Sequence, residues 1–197
     1  LTWLVHAGIA LLVGGALLQL PAWPLAKPLL GGALLLFVAD VLTITRKRMR
    51  TRLEAPLTGY LCAPAFLILG TSLVLSGTPV PAVFALLAGF VPLAIAAMGV
   101  KIVSFLAWQH RYGALVGRER VPMLRDMSVA SLSAFSLVCL GSGALACTLA
   151  LLVPPGPALA LAQGGSALMA VGALALLVHA VWIVAGRHVP SAPVPSK

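Results

Sequence analysis

The sequence is poor in charge. Only 9% of its 197 residues are Asp, Glu, Lys or Arg, and just 4 of those are acidic. Soluble domains carry about 25% charged residues. A chain with so few cannot solvate a surface of its own, and 61% of this one is AVILMFWYC, with a mean hydropathy of +1.09. Its main solvent is therefore lipid. Cysteine is scarce too. Cys62, Cys139 and Cys147 lie in apolar runs, at spacings that fit no zinc, haem c or disulfide signature. Cys139 and Cys147 are about two helical turns apart and share a face, as small packing residues would. There is no phosphate-binding loop, nucleotide-binding fold, catalytic triad or Cys-rich metal motif, and no stretch long and polar enough for a soluble domain.

What is present is a series of apolar segments, each close to the roughly 20 residues that cross a bilayer. The sequence predicts spans at about 2–20, 28–45, 57–76, 82–108, 129–153 and 158–186. Prolines cluster between them, where helices start and stop without losing a needed hydrogen bond. Pro64 and Pro92 fall inside the third and fourth segments and predict kinks. The chain opens at Leu1, inside an apolar run, with no basic stretch before it and no small-residue cleavage site after it. Residues 1–20 therefore read as a true span, and the chain as a fragment or processed product. The Pro-rich tail, 189–197, reads as extended or disordered.

The net charge of +9 points to topology rather than to nucleic acid, because the basic residues flank apolar segments and form no stripe. Arg46, Lys47, Arg48, Arg50 and Arg52 follow the second segment. Arg111, Arg118, Arg120 and Arg125 follow the fourth, and Arg187 and Lys197 the sixth. With six spans these all fall on one side, which the positive-inside rule makes cytoplasmic. The expected fold is an all-α polytopic membrane bundle of six transmembrane helices in a bacterial inner membrane, both termini cytoplasmic. Paired small residues such as Gly14-Gly15, Gly31-Gly32, Gly141 with Gly143, and Gly164-Gly165 suit close helix packing, or a smooth groove for a lipid, quinone or pigment tail.

Few groups within the spans can carry chemistry. Ionisable residues in lipid are costly and are functional candidates by default. His6, Asp40 and His179 fall at similar depths, roughly 6, 9 and 12 Å from the cytoplasmic ends of their helices at 1.5 Å per residue. Two histidines at one depth could ligate a haem b from both sides. The same layer could form a quinone or proton site, with His donating and Asp accepting. Alternatively each histidine bonds a neighbouring carbonyl or hydroxyl. Asp40 is close enough to the following basic cluster to pair there, and it could also pair with Lys101.

Lys101 has a separate reading. The segment from Ala82 to Trp108 is about 40 Å long as a helix, whereas the hydrocarbon core is about 30 Å thick. The core then ends near Lys101. Lys101 snorkels, Trp108 sits in the interfacial belt, and His110 and Arg111 lie in water. The run "KIVSFLAWQH" also resembles a K-I-x-P-F-L-x-W-x-H pattern of bacterial polytopic proteins described as similar to the haem–copper oxidase catalytic subunit. Lys101, Phe105, Leu106, Trp108 and His110 match it, and Ser104 stands where the pattern has proline. The resemblance covers roughly residues 30–150. It lacks the His-containing amino-terminal half of longer members, and it implies a respiratory setting without supplying metal or haem ligands. The leading expectation is a non-catalytic subunit of an electron-transfer or photosynthetic assembly, with the lipid bilayer and other membrane subunits as partners. A protein binding haem b, lipid or quinone, or a small transporter, are the alternatives.

Overall fold

A computed structural model describes residues 55–119 and 121–186, together with helical positions scattered between 31 and 46. The first expected span, His6, Arg187 and the tail lie outside the described residues. Among the described residues from 55 onward, five α-helices follow one another: α1 Ala55–Leu75, α2 Pro79–Phe84, α3 Val91–Tyr112, α4 Ala130–Ala150 and α5 Pro155–Ala185. No β-strand occurs among the described residues. Among the described residues, three helical stretches are long and apolar enough to cross a membrane: Pro79–Leu115, Ala130–Ala150 and Pro155–Ala185. A shorter apolar helix covers Gly59–Leu75.

The helix boundaries follow from local chemistry. Pro79 and Pro81 sit in the first turn of α2, where a missing N–H costs nothing. Pro64 lies inside α1, as the sequence implies. At Pro92 the expected irregularity takes a particular form. Residues Ala85–Phe90, between α2 and α3, are π-helical, and the Val91 N–H reaches back five residues to the Leu86 carbonyl. Proline cannot donate to the helix ladder, and its ring crowds the carbonyl four residues before it. A wider turn immediately upstream accommodates both effects.

The bundle is held by one close seam and one broader core. The seam joins α4 and α5. A Cβ placed on Gly143 would lie 2.6 Å from the Gly165 carbonyl oxygen, and one on Gly172 would lie 2.8 Å from the Leu140 nitrogen. Backbone thus meets backbone, and only glycine permits that approach. The core gathers Phe66 of α1, Leu93 and Ala97 of α3, and Leu137, Leu140 and Ala144 of α4. On α5 the buried residues are Gly165, Gly172, His179 and Ile183. They form one stripe, and the remaining faces carry exposed Leu159, Leu174, Leu177, Val181 and Val184. Apolar faces of this kind suit lipid.

Three hydroxyls on α4 are satisfied within their own helix. Ser142 Oγ donates to the Val138 carbonyl at 2.7 Å, Thr148 Oγ1 to Ala144 at 2.8 Å, and Ser136 Oγ to Ser133 at 2.9 Å. A helix in lipid needs such internal partners. Ser104 on α3 differs. Its side chain is 3% exposed, and its Oγ has no hydrogen-bond partner among the described residues. Ser104→Ala is therefore expected to leave stability unchanged or raise it by up to about 1 kcal/mol, since an unsatisfied buried hydroxyl only costs. Thermal unfolding in detergent checks this.

Candidate functional site

The polar chemistry of the described helices converges on one end of the bundle, where α3 and α5 finish and α4 begins. α4 starts without a capping side chain of its own, because its N-cap residue is Val129. The first N–H groups of any helix lack intrahelical partners. Here the partner comes from α5. The Val129 N–H donates to His179 Nε2 at 3.1 Å, and His179 Nδ1 lies 3.5 Å from Ser133 Oγ. His179 and Ser133 are both fully buried. Because Nε2 accepts, the proton of the neutral ring sits on Nδ1 and points to Ser133. The imidazole therefore bridges two helices through both of its nitrogens, about 9 Å from the last residue of α5.

α5 is finished in a matching way by α3. Arg111 donates from Nη1 to the Ile183 carbonyl at 3.3 Å, and from Nη2 to the Val184 carbonyl. Gly186 then turns the chain with φ of +77°, and a Cβ there would meet the Arg111 guanidinium at 2.6 Å. A cation at a helix C-terminus meets both orphan carbonyls and the negative end of the dipole. Trp108 makes a third tie, with Nε1 donating to the Pro122 carbonyl at 2.7 Å. It draws the connection between α3 and α4 against α3. Arg111→Met should cost about 1–2 kcal/mol, the value of a partly buried charge at a helix end. Faster amide exchange confined to residues near Gly186 would report the loss.

A groove lies beside these ties. It opens between α3 and α5, with Pro92, Ala96, Gly99 and Val103 on one wall and Ala173 and Ala180 on the other. Its volume is about 480 Å³, within the range of small-molecule pockets. Every residue lining it is apolar. It can take a hydrocarbon tail, and its walls offer no donor to a quinone carbonyl.

The residues singled out in the sequence separate as follows. His179 is buried and fully engaged by Val129 and Ser133. That is the carbonyl-or-hydroxyl type of role, realised with an amide in place of a carbonyl. Asp40 is helical and exposed. His6 lies outside the described residues, so the expected layer of His6, Asp40 and His179 is represented here by an engaged His179 and an exposed Asp40. Lys101 and Trp108 are half-buried and His110 is exposed. Arg111 differs from a simple aqueous charge, because it is half-buried and spent on α5. Cys139 and Cys147 are buried in α4, and Cys147 Sγ packs at the Gly165 crossing. No cluster of three or more His, Cys, Asp or Glu that could hold a metal occurs among the described residues.

These features define a class: a helical bundle whose described residues include three apolar helices long enough to cross a membrane, with a glycine seam, helix ends tied by Arg and His, and a connection tied by Trp. Beyond the class, comparison with known proteins gives no match, whether to family models, curated proteins or solved structures.

Proposed function

We propose that this chain is a non-catalytic integral membrane subunit of a larger bacterial electron-transfer or photosynthetic assembly. It sits in the inner membrane as six helices with both termini in the cytoplasm. One observation carries the reading: Arg111 and His179 are bonded to backbone groups at helix ends, and Trp108 to a backbone carbonyl of the α3–α4 connection, which supports a structural role for these polar side chains. Their polarity is invested in shape. The topology is supported by the basic residues that flank the segments, and the electron-transfer setting by the resemblance at 101–110. The exposed apolar faces of α5 are where lipid and neighbouring subunits would pack.

The test is extraction from native membranes in mild detergent, followed by native sizing and a mass-spectrometric inventory. The expected result is co-migration with other membrane chains, well above its own 20.2 kDa. A monodisperse, isolated chain that supports substrate flux in liposomes would instead make it a transporter.

The groove between α3 and α5 favours a second reading, a redox protein that holds a haem b or a quinone. The groove suits an apolar tail. Haem ligation fits less well, since His179 would have to release the half-buried Val129 amide that it now accepts from. A reduced-minus-oxidised spectrum with a b-type band, lost in a His6→Ala, His179→Ala double variant, would establish the haem form.

A further inference from the structure

We propose that the connection between α3 and α4 is a membrane-surface module that binds anionic lipid headgroups. It rests on the membrane-spanning reading given above. Three large apolar side chains stand exposed in this connection: Val116 at 53%, Met123 at 60% and Leu124 at 42%. They share it with the exposed Arg118 and with Arg120 and Arg125. In a loop surrounded by water, such exposure has only a cost. At an interface, apolar groups enter the acyl boundary while basic groups meet headgroup phosphates.

The connection is built to hold that position. Trp108 fixes Pro122 at its own level through the 2.7 Å bond, and tryptophan favours the headgroup region. Met127 is 2% exposed and anchors the short 3₁₀ turn Leu124–Met127 against the bundle. With Met127 inward, Met123 and Leu124 are left outward. A second tight turn forms at Gly117, φ +83°, where the Arg118 and Glu119 N–H groups both donate to the Leu115 carbonyl at 3.0 Å. It leaves Val116 and Arg118 on the surface.

The charge balance selects the partner. The acidic residues of the connection are Glu119, which is exposed, and Asp126, whose Oδ2 accepts the Met123 N–H at 3.1 Å. Against them stand Arg118, Arg120 and Arg125 in the sequence, three basic residues to two acidic. That positive balance, with exposed apolar side chains beside the tryptophan tie, complements an anionic phospholipid leaflet.

The experiment uses the full chain carrying Cys62→Ser and Met123→Cys, labelled at position 123 with an environment-sensitive thiol probe. Cys62 is exposed and would compete for label, whereas Cys139 and Cys147 are buried. The protein is reconstituted in phosphatidylcholine vesicles with and without phosphatidylglycerol. Acrylamide, a neutral quencher, is present on both sides. Quenching is expected to fall roughly twofold or more when the anionic lipid is present, given the several-fold gain in surface partitioning that each Arg supplies. Arg118→Gln with Arg120→Gln should abolish that difference while leaving the thermal transition in place. Equal quenching in the two lipid compositions overturns the inference, whether high, as for a loop in water, or low, as for a loop covered by protein. So does a lipid dependence that survives the double variant. Alkaline carbonate extraction keeps the two readings apart. A chain that resists extraction but shows no lipid dependence defeats only the surface module. A chain that carbonate releases defeats the membrane-spanning reading as well.

Discussion

Gly165→Leu is expected to lower the unfolding temperature of the solubilised protein by about 6–12 °C, while Gly164→Leu leaves it unchanged or slightly higher. The two residues are adjacent on α5 and identical in type, so composition predicts no difference. The crossing with α4 does. A Cβ on Gly165 would lie 2.6 Å from Cys147 Sγ and 2.8 Å from the Gly143 carbonyl oxygen, whereas one on Gly164 meets nothing within 4 Å. Cys147 Sγ could turn aside, but the Gly143 backbone cannot. Overpacking of this kind costs about 3 kcal/mol at the upper end of its usual range, and each kcal/mol is worth about 2–4 °C at this chain length. At Gly164 the change merely replaces a poor helix former by a good one, which is worth up to about 1 kcal/mol. Paired melting curves in one detergent decide the matter. Equal shifts at the two positions would remove the glycine seam from the account.

His179→Ala carries the second large effect. The substitution leaves the half-buried Val129 N–H without its partner, which costs about 1–3 kcal/mol. It also opens a cavity where a fully buried ring stood, and the surroundings collapse only in part. Together these should lower stability by about 2–5 kcal/mol, with the loss concentrated at the start of α4. His179→Gln should recover part of it, because its amide oxygen can accept from Val129. Hydrogen exchange at Val129 separates the mechanisms. Its amide should be strongly protected in the parent chain, weakly in the Ala variant and intermediately in the Gln variant. A Gln variant no better than Ala would mean that ring packing, and not the accepted hydrogen bond, is what matters.

Much of the helical framework is legible in hydropathy alone. The expected segment 129–153 corresponds to α4 at Ala130–Ala150, and 158–186 to α5 at Pro155–Ala185. Apolar length and flanking prolines suffice for that, because the bilayer thickness is a strong external constraint. That His179 falls inside the last helix is legible for the same reason. Its partner is not. Val129 lies fifty residues earlier, and the contact exists only because Gly143, Gly165 and Gly172 let α4 and α5 approach so closely. The sequence does hold a hint, since α4 begins at a valine that cannot cap its own helix while a histidine waits at the facing depth. Arg111 reads as an aqueous charge because periodicity describes one helix at a time. Its destination, the carbonyls of Ile183 and Val184, is a property of the packed bundle. The π-helical stretch before Pro92 is likewise beyond a proline rule, which predicts an irregularity without its form.

Ser104 shows where local rules and the resemblance part. The pattern that residues 101–110 resemble has proline at this point, which would have no hydroxyl to satisfy. This chain has a buried hydroxyl without a partner in a continuous helix. That is a small local cost, and the ties made by Trp108 and Arg111 on the following turns hold the end of α3 in spite of it.

His179 is the clearest case of a polar side chain in these helices that serves the bundle's shape. Nitrogen NMR of its ring, in full chain labelled with ¹⁵N-histidine and held in bilayers, tests this directly. The expected ring is a neutral imidazole with its proton on Nδ1 and an unprotonated Nε2 coupled to the Val129 amide. A ring protonated at Nε2, a doubly protonated ring, or one bound to a metal centre would rule that role out.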